Sequence, residues 1–339
     1  MRDRAAGALH GLALGDALGM PTQMVPREQI VARYGVVLTG FHPAPAAHPL
    51  AAGMPAGSVT DDTEQALLLA RLLVDGAGRI DAAELARRLA AWEAEMRARG
   101  SLDLLGPSTK LAVERVLAGA PLRDVGRQGT TNGAAMRIAP VGIAVPATDL
   151  RTLVDRVVEA SELTHNTGVA LAGAAAVAAA VSAGLDGATV PEVVEFAVAA
   201  ARAAVRRGFW VAAADVAERI AWAAGLVRGL SPEQACDRVS LLVGTSLATQ
   251  ESVPAAFALL CVLPDEPWRA TLLAASVGGD CDTIAAIAGS IAGACHGADA
   301  FPADARATVA RVNHLDLDVV ADQLLALRGE ALNEPASLS

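Results

Sequence analysis

The sequence predicts an all-α protein, a single large compact multi-helix domain, on three observations. Apolar residues make up 53% of the 339-residue chain and aromatics only 3%, so a core has to be filled with Ala, Leu, Val and Ile. Ala is the strongest helix former, and small side chains let helices approach closely. No run of β-branched alternation calls for a sheet, and no tandem repeat of fixed period appears. The length exceeds the usual domain size, yet no Pro-, Ser- or charge-rich linker divides the chain. Residues 1–339 therefore read as one domain, with a core over about residues 4–330 and a flexible tail at 331–339.

Taken in order, residues 4–19 form a helix that ends in the Gly-rich turn Gly15-Asp16-Ala17-Leu18-Gly19. Residues 20–57 carry Pro21, Pro26, Pro43, Pro45, Pro49 and Pro55 without a sustained period, which predicts a long irregular excursion of the kind used as lids and binding loops. From Asp62 onward the pattern is helical over 63–75, 81–99, 107–118, 149–162, 167–184, 190–206 and 210–228. Further helices follow at 231–243, 247–262, 266–276, 283–298, 303–312 and 317–329. Punctuation supports these spans, as in Ser231-Pro232-Glu233, where proline occupies a first helical turn. Three polar islands, 97–108, 126–146 and 163–167, interrupt the helices and are places where a site can be built.

Charge narrows the function. A net charge of −10 and a single lysine, Lys110, argue against a nucleic-acid backbone as partner. The four cysteines, Cys236, Cys261, Cys281 and Cys295, form no CxxC pair and read as reduced intracellular hydrophobes. Arg2 and Arg4 before residues 5–14 have the outline of a signal peptide, but His10 and Asp16 interrupt it and no clean cleavage site follows. Mean hydropathy is +0.39. The longest apolar run, 169–185, is mostly Ala and Gly and reads as a buried central helix rather than a membrane span. The expectation is a cytoplasmic monomer with no membrane partner.

Two acidic elbows carry the chemistry. Gly278-Gly279-Asp280-Cys281-Asp282-Thr283 stands at the mouth of an Ala/Ile-rich helix, and Thr60-Asp61-Asp62-Thr63 stands before another apolar helical run. Asp and Thr at such places commonly cap the helix, but one cap residue is enough and each elbow supplies three or four oxygen side chains. Carboxylate and hydroxyl oxygens suit hard cations such as Mg²⁺ or Mn²⁺, and the free N–H groups of a helix start tolerate dense negative charge. Two clusters supply ligands for two divalent cations. Asp16, between glycines, reads as a turn residue, and Asn132-Gly133 as a turn whose N–H groups form an anion nest, with Arg137 structural. His165 in Thr164-His165-Asn166-Thr167 has two open readings: part of a helix start, or a donor to a phosphate or ribose hydroxyl.

These segments together resemble the ADP-ribosylglycohydrolase family, which includes the dinitrogenase-reductase-activating glycohydrolase and the ADP-ribosyl-acceptor hydrolases. The matches are GDALG at 15–19, VTDDTEQ at 59–65, NGAAMRIAPVG at 132–142, TH at 164–165 and GGDCDTIAAIAG at 278–289. The resemblance implies an all-α fold with a binuclear Mg²⁺ or Mn²⁺ centre held by Thr60, Asp61, Asp62, Asp280, Asp282 and Thr283. It also implies a substrate pocket at Asn132, Gly133, His165 and Gln23, and hydrolysis of a glycosidic bond at the ribose anomeric carbon. Asp103 and Asp61 are the candidate catalytic carboxylates. The leading substrates are ADP-ribosyl conjugates; free ribonucleosides, or non-catalytic binding of ADP-ribose, are the alternatives. Two departures stand out: Gln23 occupies a position that is often Glu in the family, and no aromatic lies beside Asn132 or after His165 to stack an adenine.

Overall fold

The computed structural model describes residues 1–101 and 105–333. Among them secondary structure is helical apart from three isolated bridges. In order the helices are α1 (Arg2–Gly19), α2 (Arg27–Tyr34), α3 (Asp61–Asp75), α4 (Ala82–Ala98), α5 (Pro107–Leu117), α6 (Leu122–Val125), α7 (Gly133–Met136), α8 (Ala139–Ala144) and α9 (Leu150–His165). The second half comprises α10 (Gly168–Leu185), α11 (Val190–Ala204), α12 (Val216–Leu226), α13 (Pro232–Arg238), α14 (Thr249–Val262), α15 (Pro267–Ala274), α16 (Cys281–His296), α17 (Ala303–Asn313) and α18 (Leu317–Asn333). A π turn, Val239–Val243, continues α13.

The core is built around α1, α10 and α16. Helix α10 is buried on every side, as its Ala-rich sequence requires; it is long and apolar enough to cross a bilayer, and here its whole length is covered by protein. Thr167 starts it, accepting a hydrogen bond from the Ala170 N–H. Helix α1 lies along α16 through glycines at every fourth position, 7, 11, 15 and 19. A Cβ at Gly15 would stand 2.0 Å from the Ala285 carbonyl oxygen, and one at Gly19 would stand 2.3 Å from the Asp282 Cα. Only bare backbone fits that spacing, and the approach brings Asp16 beside the start of α16.

Several expected boundaries shift. The stretch at 20–57 contains α2, whose Ile30 is buried; Pro26 directly precedes it, and the other prolines mask it. The island at 126–146 holds α7 and α8, too short to show a period. Helix α9 runs on through 163–165 to His165. The helix expected at 210–228 begins only at Val216, because the Asp215 carboxylate caps it by accepting from the Glu218 N–H. Asp16 lies inside α1 rather than in a turn, and 331–333, expected as tail, belong to α18. Asp103 and residues 334–339 lie outside the described residues.

Candidate active site

The two elbows meet. Thr60 caps α3, and Asp61 and Asp62 fall in its first turn; Asp280 precedes α16, with Asp282 and Thr283 in that first turn. The backbone into the second elbow turns through Gly278 and Gly279 at φ +87° and +71°, a region that side-chain-bearing residues rarely adopt. Across the gap the Thr283 hydroxyl donates to Asp62 Oδ2 at 3.2 Å. Residues 221 positions apart are thereby joined at the mouths of two helices.

Asp16 holds the first elbow in place. Its carboxylate accepts from the Thr60 N–H at 3.0 Å, the Thr60 hydroxyl at 2.8 Å, the Thr63 N–H at 3.1 Å and the Thr63 hydroxyl at 2.5 Å. The second elbow is held by the Asn132 amide, which donates to Asp280 Oδ2 at 2.5 Å and to the Ser252 hydroxyl at 2.9 Å. A backbone strap at 245–248 ties both sides: the Thr245 carbonyl accepts from the Asp280 N–H at 2.7 Å, and the Leu247 carbonyl from the Asn132 N–H at 2.9 Å.

The electrostatics are those of buried carboxylates gathered at one place. Burial pushes Asp16 and Asp280 up to about 6 against the hydrogen bonds that favour their ionised forms. Asp62 is raised well above the ordinary carboxylate value, first by burial and then by Asp282, Asp16, Asp61 and Asp280. Among the described residues neither Asp16, Asp62 nor Asp280 forms an ion pair, and Asp62 Oδ1 is buried with no hydrogen-bond partner. A buried charge in that condition calls for a counter-ion or a proton. Among the described residues no three Asp, Glu, His or Cys side chains already surround a common ion-sized point. The fit to a cation therefore rests on charge, on the orphaned Asp62 oxygen and on the oxygen-only donor set of Thr60, Asp61, Asp62, Asp280, Asp282 and Thr283.

A cavity of about 350 Å³ opens over Asp61, Asp62, Asp280, Asp282 and Thr283. Gln23, Thr131, Asn132 and Gly133 supply its polar wall, and Met24, Leu50, Leu105, Met136 and Leu247 its apolar wall. Among the described residues the Gln23 amide nitrogen, buried, has no partner. Met24 and Leu50 come from the irregular stretch before α3, whose fold His48 fastens: its Nδ1 accepts from the Ala51 N–H at 2.9 Å and its Nε2 donates to the Gln23 carbonyl at 3.0 Å. His165 stands behind this wall rather than on it, fully buried, with Gly133 close against its ring and Nε2 on the Thr131 hydroxyl at 3.0 Å. Burial and then Arg137 hold it well below the ordinary histidine value, so it is neutral. A larger groove of about 650 Å³ lies between α11 and α12, away from the carboxylates, with no buried unpaired polar group among the described residues.

Sequence reasoning missed Asp16 as an organiser, together with Gln65 and Ser252. The signal for Asp16 was present in the four-residue glycine spacing of α1, which marks a face pressed against another backbone.

An all-α scaffold that brings two acidic helix starts to one cavity agrees with the motif resemblance. The chain matches the ADP-ribosylglycohydrolase family over residues 1–333, and the protein belongs to that family. It is a hydrolase of the glycosidic-bond-cleaving kind. It is 36% identical over 327 residues to the uncharacterized protein YegU of Escherichia coli strain K12, covering 96% of this chain and 97% of that one. The ADP-ribosylarginine hydrolase Tri1 of Pseudomonas putida strain GB-1 is 29% identical over 322 residues, covering 92% and 76%. A solved structure titled ADP-ribosylglycohydrolase-related protein complex superposes with a TM-score of 0.65 at 26% identity, covering 97% and 98%.

Proposed function

We propose that the protein is a metal-dependent hydrolase that cleaves the bond at the anomeric carbon of ribose in ADP-ribosyl conjugates. The observation that carries this reading is the convergence of both elbows on one cavity, with Asp62 Oδ1 buried and unpaired among like charges. Thr60, Asp61, Asp62, Asp280, Asp282 and Thr283 would hold two Mg²⁺ or Mn²⁺ ions, which when bound supply Lewis-acid polarisation of ribose hydroxyls and of a water. The chain's own groups do the rest. Gln65 donates to Asp61 Oδ2 at 2.8 Å and fixes that carboxylate, which faces the cavity and is only partly buried, as the acceptor of the water proton. Asn132 holds Asp280 in its rotamer, and the Gln23 amide offers a donor, not a base, to the substrate. Met24, Leu50 and Leu247 exclude bulk water.

The name of the Pseudomonas relative makes ADP-ribosylarginine the first substrate to try. A second reading, a smaller ribosylated compound such as a nucleoside, is favoured by the size of the cavity, near the lower end for ligand pockets, and by a lining that among the described residues holds no aromatic ring. ADP-ribosylarginine, ADP-ribosylserine and free nucleosides, each with Mn²⁺ and with chelator, separate the readings. Metal-dependent release of ADP-ribose supports the first; turnover of nucleosides alone supports the second; ADP-ribose binding without turnover overturns both. Asp103→Asn tests the rival base: full activity removes Asp103 from that role.

A further inference from the structure

Arg137 is almost fully buried, at 1% exposure, and sits at the end of α7, behind the cavity wall. Its guanidinium donates through one NH₂ group to Gln65 Oε1 at 3.1 Å and through the other to the Thr164 hydroxyl at 2.6 Å. Arginine has donors only, so each bond leaving it has a fixed direction. On one side Gln65 must present its oxygen to Arg137, which turns its NH₂ group onto Asp61 Oδ2 at 2.8 Å. On the other side the Thr164 oxygen is occupied as an acceptor, and its proton goes to the nearer of two acceptors, His165 Nδ1 at 2.7 Å rather than the Ser161 carbonyl at 3.5 Å. His165 therefore carries its proton on Nε2 and donates to Thr131 at 3.0 Å, and Thr131 donates in turn to Ser108 at 2.9 Å.

We infer that Arg137 is a positioning residue whose guanidinium sets the direction of every hydrogen bond from Asp61, in the acidic cluster, to Thr131, on the facing wall of the cavity. Two consequences follow. The interposed Gln65 lets Arg137 act on Asp61 through a neutral amide, so the guanidinium does not take the place at the carboxylate that a cation would need. Thr131, with its own proton committed to Ser108, offers the ligand an acceptor and so selects a hydroxyl or amine of the substrate at that spot. The Arg137 Nε–H is buried and has no acceptor among the described residues. An arginine carrying that cost serves more than packing.

The Asp61 arm rests on the metal reading above, while the His165 arm does not, and the test separates them. In metal-free protein labelled with ¹⁵N-histidine, His165 (assigned with His165→Gln) is expected to be a neutral Nε2–H imidazole from pH 6 to 8. A charged ring or an Nδ1–H tautomer in the wild type overturns the inference. Thr164→Val should abolish that fixed tautomer and leave Mn²⁺ affinity by calorimetry within twofold of wild type. Gln65→Leu should leave the tautomer intact and weaken Mn²⁺ at least tenfold; unchanged affinity overturns the Asp61 arm. Arg137→Met should show both effects. Should it fail to fold, the wild-type spectrum and the other two variants decide. Wild-type protein that takes up no Mn²⁺ sinks the metal reading and leaves the tautomer result standing.

Discussion

In the absence of divalent cations the buried carboxylates of this protein should stabilise it less as pH rises, the reverse of the usual behaviour of carboxylates. Asp16 and Asp280 are each fully buried and displaced from 3.8 to about 6. Between those values the unfolded chain has released protons that the native state still holds, so stability falls with increasing pH. The contribution is intact below about pH 4 and lost once the pH has passed about 6. Each displacement corresponds to ~3 kcal/mol, against a typical domain stability of ~5–15 kcal/mol. Asp62, shifted in the same direction, adds to the effect. The assay is chemical denaturation followed by circular dichroism from pH 4 to 8 in EDTA, and again in millimolar Mn²⁺. In EDTA the wild-type midpoint should fall across this range relative to that of Asp16→Asn, since His165 and His10, displaced in the opposite sense, are common to both proteins; Mn²⁺ should raise the wild-type midpoint at pH 7, by the mass action of a ligand that binds only the folded state. The Asp16→Asn variant should lack the part of the loss that Asp16 carries. A wild-type midpoint in EDTA that does not fall relative to Asp16→Asn between pH 4 and 7, with no Mn²⁺ effect, would refute the reasoning.

Two substitutions probe the scaffold behind the cluster. Gly15→Ala places a methyl against the Ala285 carbonyl, where neither helix backbone can yield, and should cost at least ~1–3 kcal/mol and lower activity through the displaced Asp16; a melting temperature within a degree of wild type would count against the close approach. Asn132→Ala removes the amide that holds Asp280 and also bonds Ser252; loss of the hydrogen bond to a charged group costs ~1.5–3 kcal/mol, which should lower the melting temperature and, through the displaced Asp280, kcat/KM as well.

The elbows were legible because their signal is local: three or four oxygen side chains crowd a helix start that needs one, and both reappear in the fold at first turns. The helical class was legible for the same reason, being set by Ala content and by turns marked with Gly and Pro. What was hidden depends on distant partners. Asp16 looked like a turn residue because its four donors come from Thr60 and Thr63, more than forty positions away. Helix α2 was masked by the prolines around it, and α7 and α8 are shorter than the window in which a period shows. The strap at 245–248 supports both sides of the cavity through main-chain carbonyls, which leave no mark on residue type. His165 was read as part of a helix start or as a ligand donor. The structure instead sets it at the end of α9 and behind the wall, because the segment at 126–133 packs over it, Gly133 against its ring.

The convergence of the two elbows is tested most directly by titrating Mn²⁺ into the metal-free protein and into Asp62→Asn and Asp282→Asn in a calorimeter. Two ions per chain in the wild type, with binding weakened at least tenfold in either variant although the substitutions lie on opposite elbows, is the predicted result. Wild-type protein that binds no Mn²⁺, or variants that bind it as tightly as wild type, would contradict the account.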